Sequence, residues 1–281
     1  MSFQIFQISD LYFSQKAGSK MELLENHLDK QLSEVLPHIQ SRIKYKTKYF
    51  GIATLKNPFD NWIVEEIIFE TKPDVIIEIG NLNGGSTLKL AHFCDLLNNG
   101  RVIGVDISHI RIPSIVKNHP RISLYEGDAC DNFSIIKDTI QKDDHVMIIE
   151  DSSHTYDNTL RILRTYSCLI KKNDYIIIED SICYHGLQEG PLPGPYEAIE
   201  TFLNENSSFI SDRSRESFII TWNPKGFLVR VDDNINENYN QFDKKTKNLS
   251  KLANKLFRFL QLFLPPIISI FFTKIKKIFN S

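Results

Sequence analysis

The stretch KPDVIIEIGNLNGGS, residues 72–86, decides the fold of this chain. VIIEIG (75–80) is an apolar, β-branched run with the length of a buried strand, and a glycine-rich loop follows it at once. The glycines of that loop then open a predicted helix that runs to residue 97. A buried strand, a glycine loop and a helix in this order are typical of the first unit of a parallel α/β sheet.

The alternation of strands and helices continues on both sides of this unit. Further strands are predicted at 101–107, 122–128, 145–151 and 174–180, with a helix over 157–169. Earlier in the chain, helices are predicted over 22–44, which Pro37 ends or bends, and over 57–74. Block 185–198 is predicted to be a loop, and SFIITWNPKGFLVRV (217–231) a β-hairpin. The predicted fold class is α/β, a doubly wound, mostly parallel sheet with a C-terminal antiparallel hairpin.

Length and composition predict one main domain with two appendages. A chain of 281 residues with 42% hydrophobic residues can bury a full core. We expect an N-terminal helical segment (1–44), a main domain (45–232) and a basic tail (233–281). The four cysteines form no CxxC pair and the N-terminus lacks the positive charge of a signal peptide, so a cytoplasmic location is expected. The acidic main domain argues against nucleic-acid binding.

The glycine loop EIGNLNGGS (78–86) is a candidate cofactor site. Glycines between a strand and a helix let backbone amides approach a ligand at the helix N-terminus. The loop lacks the GxGxxG pattern of a dinucleotide site, while Asp106 at the end of the next strand can bind ribose hydroxyls, which favours a nucleoside cofactor without a pyrophosphate. The alternatives are ordinary glycine turns and a capping role for Asp128. The predicted cofactor-binding residues are Glu78, Gly80, Asn83, Gly84, Ser86, Asp106, Asp128 and Asp151.

Two later strands end abruptly in carboxylates, VMIIEDSSH (146–154) and YIIIEDS (175–181). Because ligands collect at the carboxyl ends of parallel strands, we expect Asp151, His154, Glu179 and Asp180 to converge on one crevice. Crowded carboxylates are costly, and a hard divalent cation such as Mg²⁺ would neutralise them. Glu150 directly precedes Asp151 and is interpreted as a solvated or salt-bridged carboxylate without a role in the site.

Residues 45–231 resemble the cephalosporin hydroxylase and rhamnosyl O-methyltransferase family. The segments that carry the resemblance are FGIATLKNPFDNWIVEEIIFETKPDVIIEIGNLNGGS, GRVIGVDI, EDSSHTYDN, DYIIIEDS and SFIITWNPKGFLVRV. The resemblance implies a Rossmann-like, S-adenosylmethionine-dependent O-methyltransferase with Mg²⁺ held by Asp151, Glu179 and Asp180. It also implies that His154 is the general base, although a helix-capping or metal-binding role for His154 is an alternative. The implied acceptor is a hydroxyl, of a sugar in a glycan or glycolipid or of a natural product.

Two other functions are weighed against this one. A non-heme oxygenase would hold Fe(II) through His154, His185 and Asp151. A non-catalytic, membrane-tethered protein would keep the same fold as a docking platform. The position of His185 on a predicted loop disfavours the first, and the presence of Asp106 together with the acidic strand ends disfavours the second.

The tail has a charge and a pattern of its own. Residues 244–281 carry nine lysines and arginines and no acid, and leucines and phenylalanines recur at helical spacing between 249 and 263. A basic amphipathic helix of this kind is typical of a segment that lies on an anionic membrane, here the inner face of the plasma membrane. The alternative is a tail that docks on the acidic domain or on a second subunit of a homo-oligomer.

Overall fold

The computed structural model describes residues 25, 27, 29–183, 185 and 192–231. These residues belong to one compact unit that ends at Val231. The predicted basic tail, Leu23, Leu24 and Leu28 of the predicted first helix, and most of the loop before residue 192 lie outside the described residues. Within the described part of the chain, no helix combines the length and the apolar character needed to cross a membrane.

Seven helices and nine strands alternate along the described chain. The helices are α1 (Leu32–Lys46), α2 (Pro58–Thr71), α3 (Gly85–Leu97), α4 (Ser114–Lys117), α5 (Phe133–Asp138), α6 (Tyr156–Tyr166) and α7 (Pro195–Glu205), with 3₁₀ turns at Ser167–Leu169 and Arg213–Glu216. The strands are β1 (Lys48–Tyr49), β2 (Ile52–Ala53), β3 (Val75–Ile79), β4 (Arg101–Asp106), β5 (Ile122–Glu126), β6 (Val146–Glu150), β7 (Tyr175–Ile178), β8 (Phe209–Ser211) and β9 (Phe227–Arg230).

Strands β3 to β9 form one sheet in the order β5-β4-β3-β6-β7-β9-β8. The pairs from β5 to β7 are parallel, and β9 is antiparallel to both β7 and β8. Strands β4 and β5 therefore lie on one side of β3, and the next strand in sequence, β6, lies on its other side. Such a reversal of strand order opens a crevice at the carboxyl ends of the two central strands, which is where ligands bind in open α/β sheets.

The central strands are buried on both faces, as expected for a parallel sheet covered by helices. In β3, Val75, Ile77 and Ile79 pack into the core that contains α6 and α7, while Ile76 packs into the core that contains α2 and α3. The alternation also places Glu78 on the side of α2 and α3, together with Ile76. A buried glutamate in this position needs a hydrogen-bond donor or a cation on that face of the sheet.

The predicted doubly wound sheet is confirmed, with differences near its C-terminal end. The antiparallel pair is present, but its first strand is β8 rather than residues 217–222. Both edges of β9 are occupied, one by β7 and the other by β8, so no edge is left for residues 217–222. Pro37 does not end its helix, because it lies inside α1 on an exposed position where the loss of one backbone donor is tolerated, while the alternative that it bends the helix stays a prediction. Residues 195–198, predicted as loop, form the first turn of α7.

Candidate active site

A cavity of about 530 Å³ lies at the reversal between β3 and β6. Its wall includes the loop after β3, the ends of β4 and β5, and the segment after β6, joined by residues of α1 and by Trp222. The site residues among its lining are Gly80, Leu82, Asp106, Asp128, Asp151, Ser152, His154 and Asp180. The structure thus brings together residues from five separate segments that the sequence placed at strand ends.

Gly80 allows the ends of β3 and β6 to approach each other closely. Its φ is +93°, and a Cβ at this position would lie 2.1 Å from the carbonyl oxygen of Asp151. No side chain fits there, so the glycine is required both for the backbone conformation and for the contact. The close contact between the two strand ends places Asp151 in the wall of the cavity.

Buried hydrogen bonds between Glu78, Asn81 and Thr87 hold the glycine loop in place. Glu78 is fully buried, and its Oε2 accepts hydrogen bonds from Asn81 Nδ2 at 2.9 Å and Thr87 Oγ1 at 2.5 Å. Gly84 adopts φ +79° and precedes the first turn of α3. Of the predicted cofactor residues, Gly80, Asp106, Asp128 and Asp151 line the cavity, whereas Glu78, Asn83, Gly84 and Ser86 lie outside its wall.

Asp106 and Asp128 both face the cavity, but they differ in how their carboxylates are used. The backbone amide of Leu82 donates to Asp106 Oδ2 at 2.8 Å, which fixes this carboxylate while leaving it able to accept further hydrogen bonds. Asp128 Oδ1 accepts from the amides of Cys130 and Asp131, and Arg161 Nη2 donates to Oδ2 at 2.5 Å. The hydrogen bond from Arg161 holds the pKa of Asp128 below its usual range. This arrangement favours the capping interpretation of Asp128.

Lys56, which is not among the predicted site residues, lies at the centre of the acidic cluster. Lys56 Nζ donates to Asp151 Oδ2 at 2.6 Å and to Glu179 Oε2, and it lies 4.0 Å from Glu78 Oε1. Burial alone lowers the pKa of the Lys56 ammonium, but the negative charges of these three carboxylates outweigh burial and raise its pKa well above the ordinary value. Lys56 directly precedes Asn57, whose side chain accepts from Phe59 N and caps α2, and this position gives no local sign of the contacts that Lys56 makes.

The cluster holds more carboxyl groups than the single charge of Lys56 can neutralise. Burial, aided by the charge of Asp151, raises the pKa of Glu179 to about 8. Burial and the same neighbouring charge raise the pKa of Asp180 to about 7. These shifts mean that a further cation at this end of the sheet would be stabilised by the carboxylates around it.

His154 lies between two of the predicted metal ligands. Its Nε2 is 3.7 Å from Asp151 Oδ1 and 3.8 Å from Asp180 Oδ2, which is beyond hydrogen-bonding distance, and its buried Nδ1 has no hydrogen-bond partner. Both His154 and Asp180 adopt φ +52°, a left-handed conformation that non-glycine residues rarely take. Backbone strain of this kind is often found where side chains are held for function.

The carboxylate oxygens at this site are of the chemical type that a hard divalent cation binds. Lys56 binds one oxygen each of Asp151 and Glu179, so Asp151 Oδ1, Glu179 Oε1 and both oxygens of Asp180 remain as ligands that Mg²⁺ prefers. Among the described residues, the group whose potential ligand atoms lie within 4.8 Å of one another is His154, Asp180 and Cys183, so the predicted ligands Asp151, Glu179 and Asp180 do not form such a group in this arrangement of side chains. Burial raises the pKa of the Cys183 thiol to about 12, which makes it a poor ligand for such an ion.

The structure changes the expectation for Glu150 and agrees with the one for His185. Glu150 was expected to be solvated or salt-bridged, but it is fully buried and accepts hydrogen bonds from the amide and hydroxyl of Ser152, because β6 remains covered up to its last residue. His185 of the alternative Fe(II) triad instead contacts Glu197 Oε1 at 2.7 Å. That pairing disfavours the oxygenase alternative.

Comparison with known proteins identifies the family. The model of the family described as Rhamnosyl O-methyltransferase/CmcI matches residues 41–231. The chain belongs to this family. A rhamnosyl O-methyltransferase of Mycobacterium bovis is 33% identical over 194 residues, which covers 66% of this chain and 78% of that protein. The rhamnosyl O-methyltransferase of Mycobacterium leprae is 31% identical over 193 residues, or 66% and 83% of the two chains.

Solved structures of CmcI share the fold. One with Mg and S-adenosylmethionine has a TM-score of 0.54 at 23% identity and covers 66% of this chain and 77% of that chain. An apo structure has a TM-score of 0.53 at 22% identity and covers 83% and 97%. The predicted family and Rossmann-like fold are confirmed, and so is the predicted enzyme class, an S-adenosylmethionine-dependent O-methyltransferase.

Proposed function

We propose that this rhamnosyl O-methyltransferase/CmcI family member is a Mg²⁺-dependent enzyme that methylates a hydroxyl of a sugar in a glycan, glycolipid or natural product. The observation that carries the proposal is a single cavity whose wall includes Gly80 and Asp106 of the cofactor side and Asp151, His154 and Asp180 of the acidic cluster. The sugar acceptor is supported by the name of the 33% identical relatives.

The cofactor half of the cavity suits a nucleoside bearing a sulfonium. Asp106 can accept hydrogen bonds from two ribose hydroxyls, since the amide of Leu82 already fixes the orientation of its carboxylate. Gly80 lies in the cavity wall, where its close approach to Asp151 brings the cofactor side and the acidic cluster together. The negative charge of the neighbouring carboxylates also favours a positively charged sulfonium.

The acceptor half must activate a poor nucleophile. A sugar hydroxyl is almost un-ionised near neutral pH, so the enzyme needs a proton acceptor and a means to stabilise the developing oxyanion. When bound by Asp151, Glu179 and Asp180, Mg²⁺ would polarise the acceptor oxygen. His154 Nε2 faces the same carboxylates without a hydrogen bond and can take the hydroxyl proton.

The cavity also offers an apolar surface for the acceptor. Trp222 and Leu55 line the cavity beside Asp180, and Ile43 of α1 contributes further apolar area. The amide of Trp222 donates to the buried Asp60 Oδ2 at 2.8 Å, which ties this segment to α2. An aromatic wall of this kind suits the apolar face of a sugar ring.

The metal requirement is tested by methyl transfer from labelled S-adenosylmethionine to a rhamnoside acceptor, with and without EDTA. We expect activity to fall to background in EDTA and to return with added Mg²⁺, and Asp151→Ala to remain inactive at any Mg²⁺ concentration. Asp95→Ala is the matched control, because Asp95 pairs with Arg121 at 2.6 Å outside the cavity. Full activity of Asp151→Ala in EDTA would contradict the metal mechanism.

A further inference from the structure

Lys56 joins three acidic strand ends that are far apart in sequence. Its ammonium contacts Asp151 after β6 and Glu179 after β7, and it is 4.0 Å from Glu78 of β3. The lysine is only 6% exposed. A cation buried this deeply normally serves a structural or functional purpose, since leaving water is costly for it.

The ammonium approaches the acids from behind the cavity. Asp151, His154 and Asp180 line the large cavity, whereas Lys56, Glu78 and Glu179 line a small separate pocket between α2 and α3. Lys56 binds Oδ2 of Asp151 and leaves Oδ1 free, and Asp151 and Asp180 both line the large cavity, so a second cation would be bound from that side. Lys56 and a bound Mg²⁺ would therefore share Asp151 without occupying the same position.

The charges explain why Lys56 is needed when no metal is bound. Glu78 is fully buried, and its Oε1 has no hydrogen-bond partner. In the described part of the chain, Lys56 is the lysine or arginine that pairs with Glu78, Asp151 and Glu179. Buried carboxylates without a nearby cation would repel one another and destabilise the ends of three central strands.

We infer that Lys56 is a resident counterion, which keeps the acidic cluster assembled without a divalent cation and weakens the binding of that cation so that it exchanges readily. The inference rests on the proposed metal-dependent function. Lys56 compensates part of the negative charge, and its own positive charge repels an ion a few ångströms away. It is a positioning residue, because it acts through Asp151 and Glu179.

The test compares the full chain with its Lys56→Met variant by calorimetric titration with Mg²⁺ and by thermal unfolding with and without Mg²⁺. We expect the variant to unfold at a lower temperature without metal and to bind Mg²⁺ at least about tenfold more tightly, because the repelling charge is gone. The rise of the unfolding temperature on adding Mg²⁺ should be larger than in the wild type, since a tighter ligand stabilises more.

Two further variants make the result decisive. Lys89→Met is the matched control, because Lys89 lines the same small pocket but pairs with Glu65 at 2.5 Å, and its Mg²⁺ affinity should equal that of the wild type. Lys56→Met combined with Glu78→Gln removes the cation together with one buried charge. This variant should fold even if the single variant does not, and it should also bind Mg²⁺ more tightly.

Each outcome separates the inference from the function on which it rests. A lower unfolding temperature with unchanged Mg²⁺ affinity, in Lys56→Met and in the double variant, would make Lys56 merely structural and overturn the inference while the metal-dependent function stands. Weaker Mg²⁺ binding would overturn it as well. If neither the wild type nor any variant binds Mg²⁺, the proposed metal function fails and the inference falls with it.

Discussion

At the scale of residues, the sequence indicated which carboxylates meet but not what holds them. Asp151, Glu179 and Asp180 could be predicted because each follows an apolar strand, and parallel strands end at one edge. Lys56 could not be predicted, because its contact with Glu179 spans 123 residues and no local pattern encodes such a pair. The burial of Glu150 was missed for the same reason, since burial depends on helices packed from elsewhere in the chain.

His154 carries the sharpest prediction about the reaction. Replacing it with glutamine should lower kcat by about 10² to 10⁴-fold, because the acceptor hydroxyl loses its proton acceptor. The affinity for S-adenosylmethionine, measured by calorimetry, should stay within about twofold of the wild type, since His154 is not among the residues predicted to bind the cofactor.

His185→Gln is the control for this variant. His185 pairs with Glu197, so its replacement should leave kcat near the wild-type value. If His154→Gln kept full activity, the general-base role would be wrong. If His185→Gln lost activity as severely as His154→Gln, the alternative with two histidine ligands would gain support.

At the scale of elements, the strands were predictable and their partners only in part. The parallel strands β3 to β7 follow from apolar runs bounded by turn residues, and the observed ends differ from the predicted ones by at most a few residues. The partner of β9 was misplaced because residues 217–222 are apolar enough for a strand, yet the edge of β9 is already occupied by β8. Local β-propensity does not reveal which of two nearby segments pairs with the edge of β9.

The close approach of β3 and β6 is testable at Gly80. Gly80→Ala places a methyl group 2.1 Å from a backbone oxygen of Asp151, so the strand ends must separate. We expect a loss of about 2 to 4 kcal/mol in the free energy of unfolding, from the clash together with the strained φ. Methyl transfer should also fall, because Asp151 shifts away from the other carboxylates.

Gly51→Ala is the matched control for the backbone contribution. Gly51 has φ +80°, similar to Gly80, but a Cβ there would meet nothing within 4 Å. Its loss, measured by urea denaturation, should be about 1 kcal/mol, the cost of the conformation alone. Equal losses for the two variants would show that the contact with Asp151 does not constrain β3.

At the scale of the whole molecule, the division into segments stays a prediction. The described unit ends at Val231, close to the predicted boundary at residue 232, and the matched family region ends at the same residue. The basic tail from 244 to 281 lies outside the described residues, and its proposed role on an anionic membrane is therefore argued from charge and spacing alone.

The tail prediction is checked by flotation with liposomes. The full chain should float with vesicles that contain anionic lipids and should lose this association at high salt, because each basic residue near the surface contributes about 1 kcal/mol. A chain ending at Asp243 should remain unbound and keep its methyl-transfer activity. Equal flotation of the two chains would remove the membrane role and favour docking on protein.

The sheet order also has a consequence for how the enzyme gains activity as it folds. Its central pairing joins β3 to β6, with β4 and β5 intervening in the chain, so that early local contacts cannot bring these strands together. The conformational entropy of the long intervening segment must be lost before the hydrogen bonds between β3 and β6 can form. Sheets with such non-local strand pairing fold slowly. We therefore expect the candidate site residues after β3 and β6 to come together late, so that recovery of methyl transfer during refolding lags behind recovery of helical circular dichroism.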